Sequence, residues 1–247
     1  MNVIRSLLFM LYAVVVTVAL VPFIVIASFL GHGPCYAMAW VWRRAFMFGV
    51  NWILWIKTEV RGIENMPTTP AVILAKHQSA WETVALQDLL PSGAHASYVL
   101  KQELMRQPFI GWALGAMKMI SIDRNAGKDA LAQVLEQGRQ RLQQGFFVIV
   151  FPEGTRVAPG QKKRYKPGGA YLAAHAGVAA IPVAHNAGEL WPRNAFIKRA
   201  GTIVISIGPA IDTAGLDENE VNRRAEEWIE GEMRRLSPHR YKDAGQG

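Results

Sequence analysis

The sequence predicts an α/β domain, a largely parallel sheet flanked by helices, preceded by an N-terminal membrane-embedded two-helix hairpin. Two observations carry this expectation. No charged residue lies between Arg5 and Arg43, and residues 7–30 are almost wholly aliphatic or aromatic, longer than the roughly 20 residues that cross a bilayer core. From about residue 57, short apolar runs alternate with helical stretches, the texture of strands buried on both faces and joined by crossover helices.

The hairpin comes first in the chain. Gly31-His32-Gly33-Pro34 should break the first helix, and Pro22 is expected to kink it. The second segment, 35–56, carries Trp40, Trp42, Trp52 and Trp55 but is interrupted by Arg43 and Arg44. Because tryptophan favours the headgroup level, this segment reads as an interfacial helix. Ala37-Met38-Ala39 has the small-x-small form of a signal-peptide cleavage site, yet the apolar run far exceeds the 7–15 residues of such a signal. Arginines flank the helix pair on both sides, which favours both ends on the cytoplasmic face and a hairpin dipping into one leaflet, with a single crossing as the alternative. The expected division is therefore 1–56 for the anchor and 57–247 for a catalytic domain.

Composition agrees with a segregated chain. The 247 residues are 51% hydrophobic and still carry a net charge of +8, so an apolar part in lipid is paired with a basic part that faces anions. Cys35 is the only cysteine, which excludes an intrachain disulfide and a cysteine-based metal site.

Within the domain, strands are expected at 70–75, 97–100, 119–122, 146–151, 178–183 and 202–207, and helices at 81–90, 128–144, 168–176 and 218–236. His77 follows the first of these strands and precedes a helix, so it should sit at the C-terminal edge of the sheet, where open α/β folds bind ligands. Glu82, five residues on, can reach back to one imidazole nitrogen, fix the tautomer and leave the other nitrogen to accept a proton from a hydroxyl. Taken alone, this spacing also fits a hydrogen-bonded histidine beside a solvated glutamate. Other strand ends strengthen the catalytic reading. Ile120-Ser121-Ile122 runs into Asp123-Arg124, and 146–151 runs into Pro152-Glu153-Gly154-Thr155-Arg156. Arg124 and Arg156 offer guanidinium forks for a phosphate, Gly154 permits close backbone approach, and Glu153 is expected to accept hydrogen bonds from substrate hydroxyls or to orient cations. Lys166, just ahead of two glycines and a helix start, and Lys101, at its own strand end, are further phosphate candidates. The run 161–166, with four basic residues, also fits a solvated loop or a general membrane-surface patch.

His77-x4-Glu82, Ile122-Asp123-Arg124, Phe151-Pro152-Glu153-Gly154-Thr155-Arg156 and Ile181-Pro182-Val183 together resemble the four ordered motifs of the glycerolipid acyltransferase family, especially its 1-acylglycerol-3-phosphate O-acyltransferases. The resemblance spans about 57–210, and residues 1–56 resemble the family's membrane-dipping helix pair. It implies His77 and Glu82 as the catalytic pair, with Arg124, Glu153, Gly154, Thr155 and Arg156 at the substrate. Lysophosphatidic acid would be the acceptor, and acyl-CoA or acyl carrier protein the donor. Membrane lipids would be partners, at the cytoplasmic face of a bacterial inner membrane. No metal or bound cofactor is implied. The family's first motif usually carries aspartate where this chain has Glu82, which keeps the carboxylate and adds a methylene.

Other classes of function fit parts of the sequence. The acceptor could be another lysolipid, such as an ornithine-type lipid, or water could replace it in a thioester or lipid hydrolase. A non-catalytic membrane-binding protein would use the basic face alone. No Gly-x-Ser-x-Gly or His-Glu-x-x-His occurs, which argues against two hydrolase chemistries. Nucleic acid is not an expected partner, because the basic residues come with a lipid-seeking N-terminus and no recognised binding motif.

Overall fold

A computed structural model describes residues 1–123 and 127–241. Helix α1 (Asn2–Phe29) runs unbroken through Pro22 and is long and apolar enough to cross a membrane. After a turn at Leu30 and Gly31, α2 (His32–Trp52) returns alongside it. The Tyr12 hydroxyl donates to the Ala45 carbonyl at 2.8 Å, and Gly49 meets the Tyr12 ring where any Cβ would overlap it. The two helices approach closely for that reason.

The chain then enters β1 (Ile56–Arg61) and β2 (Val72–Ala75), followed by a single turn, α3 (Glu82–Ala85), and a 3-10 turn over Leu86–Leu89. Next come β3 (His95–Lys101), two short helices α4 (Gln102–Met105) and α5 (Ile110–Ala116), β4 (Ile120–Ile122) and α6 (Lys128–Gln143). β5 (Phe146–Val150), α7 (Gly168–Ala176), β6 (Ala180–His185), α8 (Ala187–Leu190), β7 (Gly201–Ile207) and α9 (Glu218–Leu236) complete it. The helix expected at 81–90 is thus cut to one turn. The 3-10 geometry that follows eclipses side chains three apart, and it turns both Leu86 and Leu89 into the core.

The described strands form one sheet in the order β1-β7-β6-β2-β5-β3-β4. Every neighbouring pair is parallel except β6 with β7. β6, β2, β5, β3 and β4 therefore deliver their C-terminal ends to a single edge. Alternation along the strands feeds two cores. Ile73, Phe147, Ile149, Ile181 and Val183 face α2 and the α3 turn. Val72, Leu74, Val148, Val150 and Ala180 face the other way, onto α6, α7 and the Val221, Ala225, Ile229 and Met233 stripe of α9. β4 ends the sheet, and its free edge is covered: the Gln137 side chain bonds both the N–H and the carbonyl of Ser121, and Gln133 accepts from the Asp123 N–H.

The helix pair is not a detachable piece. Met47, Val50 and Leu54 at the end of α2 lie in the same core as Ile56, Ile73 and Phe147. Near the other end, Phe9 packs edge-on to Trp191 at 5.4 Å, and the Lys198 N–H donates to the Ser6 hydroxyl at 2.8 Å.

Candidate active site

The loop leaving β2 is held by partners from several different elements. The Lys76 N–H donates to the Val183 carbonyl at 2.9 Å, and His185 Nε2 donates to the Lys76 carbonyl at 2.8 Å. The His77 N–H donates to Glu153 Oε2 at 2.7 Å, while the Val157 N–H reaches the His77 carbonyl at 2.8 Å. With its backbone so fixed, the His77 ring stacks on Phe151, centroids 4.1 Å apart. His77 Nδ1 lies 2.9 Å from Glu82 Oε1, and Nε2 has no protein partner among the described residues.

Glu82 is fully buried, and its Oε1 also accepts from the N–H groups of Gln78 and Ser79, at 2.9 and 2.7 Å. Burial pushes this carboxyl up, but the His185 and His77 imidazoles and the Ser79 N–H together outweigh it and hold Glu82 below its ordinary value. It is therefore an anion that keeps Nδ1 protonated and Nε2 available as a base. His185, also fully buried, is held below its ordinary value chiefly by desolvation. Glu82→Asp should pull the shared oxygen back from three donors. A kcat about tenfold lower is expected, the equivalent of losing about 1.5 kcal/mol of charge-assisted hydrogen bonding. Unchanged turnover would show that the loop follows the shorter side chain.

Behind this pair lies a buried charge cluster. Lys76 Nζ is 2.7 Å from Glu153 Oε1 and 2.7 Å from Glu230 Oε1, and the Tyr165 hydroxyl donates to Glu230 at 3.0 Å. Desolvation pushes the Lys76 ammonium down, but the two carboxylates overcome it and hold it above its ordinary value. Desolvation pushes Glu153 up to about 7 against the pull of Lys76 and the His77 N–H. One ammonium cannot neutralise two buried carboxylates, and Glu153 retains a proton readily. Glu153 thus faces inward, with no exposed surface, and is engaged by Lys76 and by the His77 backbone. Of the two roles expected from the sequence, this geometry gives Glu153 the cation, Lys76, rather than a substrate hydroxyl.

Two cavities meet at His77. A smaller one, about 280 Å³, lies toward α6 and α7 and takes in Leu131, Val134, Gly154 and Lys166. A larger one, about 640 Å³, runs between β3, α5 and the helical hairpin, from Val21 and Ile24 to Thr155 and Arg156. His77, Val99, Phe151 and Gly154 line both. Gly154 has a φ of 68° at a tight turn closed by its N–H to the Phe151 carbonyl, a conformation that favours glycine.

The structure brings most of the expected residues together. Lys101, Thr155 and Arg156 line the larger cavity. Lys166 lines the smaller one, its stem lying against Gly154. Arg124 lies outside the described residues. Two cations that sequence reasoning left without a site role also line the larger cavity: Arg193, and Arg43 of α2, which is buried and 3.1 Å from Asp88. An arginine inside an aromatic-rich apolar helix was the available signal for Arg43. Among the described residues, no group of three or more His, Cys, Asp or Glu side chains is placed to hold a metal ion.

Residues 57–186 match the family described as Acyltransferase. Over 200 residues the chain is 44% identical to the 1-acyl-sn-glycerol-3-phosphate acyltransferase of Pseudomonas aeruginosa, covering 80% of this chain and 77% of that one. Over 180 residues it is 28% identical to the 1-acyl-sn-glycerol-3-phosphate acyltransferase alpha of Homo sapiens, covering 72% and 63%. The crystal structure of the 1-acyl-sn-glycerophosphate acyltransferase of Thermotoga maritima superposes with a TM-score of 0.71 at 24% identity, over 96% of this chain and 98% of that one. That likeness shows the fold. The family match over more than half of the sequence, with the bacterial relative, establishes that the chain belongs to the acyltransferase family.

Proposed function

We propose that the protein transfers a fatty acyl group from an acyl thioester to the free hydroxyl of lysophosphatidic acid, giving phosphatidic acid for phospholipid synthesis. The observation that carries this reading is the His77–Glu82 pair at the junction of two apolar cavities, with Nε2 open. Nε2 takes the proton of the acceptor hydroxyl as its oxygen attacks the thioester carbonyl. The tetrahedral intermediate then collapses, the carbon–sulfur bond breaks, and the departing thiolate recovers that proton from the imidazolium. No acyl-enzyme forms. General-base catalysis of this kind supplies about 10² to 10⁴ in rate, and positioning of the two substrates supplies much of the rest.

Lys101, Arg156 and Lys166 give the acceptor phosphate its counter-charges, with Arg124 as a further candidate. Thr155 and Gly154 shape the glycerol site. Glu153 acts by holding the His77 backbone rather than by touching substrate. Arg156→Ala should raise KM for lysophosphatidic acid about tenfold or more, as expected for loss of a charge-assisted contact, and leave KM for a phosphate-free lysolipid nearly unchanged. Equal loss with both acceptors would assign Arg156 a structural role.

Membrane attachment follows from the apolar surface. Val14, Val18, Phe23 and Ile26 of α1 and Trp52 of α2 are exposed, as are Trp112 of α5 and Phe196. Val21 and Ile24 of α1 line the larger cavity, which supports entry of a lysolipid from the leaflet. The reading includes residues 1–56 as the anchor, 57–247 as the catalytic part, and a site on the cytoplasmic face of a bacterial inner membrane, where acyl-CoA or acyl carrier protein serves as donor. Purified protein in vesicles should convert acyl-CoA and lysophosphatidic acid to phosphatidic acid, detected by mass spectrometry. Thioester loss without acceptor would identify a hydrolase, and product only from a phosphate-free lysolipid such as an ornithine-type one would move the acceptor class.

A further inference from the structure

A further recess adjoins the reaction cavity at its Thr155 and Arg156 end. It measures about 390 Å³, lies beneath the loop after the Arg156 motif, and is lined by Arg156, Lys162, Lys163 and Arg193 among others. No carboxylate is among its lining residues, and it shares Thr155, Arg156 and Arg193 with the larger cavity. Whatever occupies the recess is therefore continuous with a ligand reaching His77.

Its wall is built rather than loose. The loop is tied to the catalytic histidine at one end by the Val157 N–H to the His77 carbonyl, and to the motif turn at the other by the Lys166 N–H to the Pro152 carbonyl, both at 2.8 Å. Between these ties, Tyr165 is buried against Glu230, and Gly160 packs on the Arg240 backbone where a Cβ would overlap it. The Arg193 guanidinium donates to the Arg156 carbonyl at 3.3 Å, joining the two sides. Lys162 pairs with Glu226 at 2.7 Å at an exposed site. An exposed pair of this kind is weak, so it steadies the loop and leaves the ammonium free to exchange partners.

A general membrane patch would spread such charge over a convex surface. Here it is concentrated in a concavity that opens on the reaction cavity. The acceptor's single phosphate has its own counter-charges in Lys101, Arg156 and Lys166. The second substrate of the proposed reaction carries its thioester on a long arm that ends in several phosphates. We infer that this recess binds the nucleotide phosphates of acyl-CoA, with Lys162, Lys163 and Arg193 as their cationic partners and the arm running along Thr155 and Arg156, which line both spaces, to the thioester. This inference rests on the acyl-transfer reading.

The test uses the full-length protein in vesicles with the double variant Lys162→Ala, Lys163→Ala. KM for acyl-CoA should rise about tenfold, the rise should shrink as salt is added to the wild type for comparison, and KM for lysophosphatidic acid should not change. Turnover of an acyl-pantetheine thioester, which has the arm without the nucleotide, should match wild type. Calorimetry with CoA alone should show about tenfold weaker binding to the variant. An unchanged KM for acyl-CoA, or an equal loss with acyl-pantetheine, would overturn the assignment. Loss confined to acyl carrier protein would overturn it as well and give the recess to a protein surface. Weaker binding to anionic vesicles with unchanged CoA affinity would return the lysines to a membrane role. Failure of the wild type to acylate lysophosphatidic acid from either donor defeats the acyl-transfer reading instead, and the CoA-binding arm still reads the recess directly.

Discussion

His77→Ala should lower kcat by about 10² to 10⁴, the contribution of a positioned general base, with little change in KM for either substrate. The ring contacts neither set of phosphate-binding cations, and the apolar walls of both cavities survive its loss. The thermal midpoint should stay near that of the wild type, because the loop backbone is held through Glu153, Val157, Val183 and His185 rather than through the imidazole. Steady-state kinetics with phosphatidic acid as the measured product decides the matter. Turnover near wild type in this variant would end the mechanism.

The largest stability effect is expected at Lys76. Replacing it with methionine leaves Glu153 and Glu230 buried without their shared ammonium, a loss on the order of 3–5 kcal/mol. For a chain of this size that lowers the melting midpoint by roughly 10 °C. Combining Lys76→Met with Glu153→Gln and Glu230→Gln removes both orphaned charges and should recover most of the loss. A triple variant no more stable than the single one would show that packing, not charge, sets the effect. The same cluster gives stability a pH dependence. Glu153 titrates at about 7 in the fold against an ordinary 4.5, so between those values the folded state holds a proton that the unfolded chain has released. Its contribution is complete below 4.5 and is lost as pH rises through 7. Glu153→Gln should flatten that part of the melting-point profile.

The readability of the sequence follows the physics of each element. Strands β2, β5 and β6 are buried on every residue, so each appears as an apolar run, and the exits of β2 and β5 into charge mark the site. β1 buries only Ile56 and alternates its remaining residues with charge, so no hydrophobic pattern announces it. Its place depends on pairing with β7, far along the chain. The His77–Glu82 contact was legible because five residues and a helical turn constrain it. The facing of Glu153 was not: it depends on Lys76 and on Glu230 of α9, and only the folded chain brings these three together. Arg193 eluded the motifs because it reaches the cavity from the loop between α8 and β7, which carries no periodic signal.

The pairing of β1 with β7 also sets an order of assembly. β1 is made directly after the hairpin, yet its only neighbour among the described strands is β7, the last of them along the chain. Contacts of such long sequence separation form late, because the intervening loop must be closed before they return any stabilisation. During synthesis the first two helices can thus settle into lipid while β1 waits beside them, and its pairing is sealed only when β7 arrives. On the proposed topology, this enzyme is completed at the bilayer rather than delivered to it.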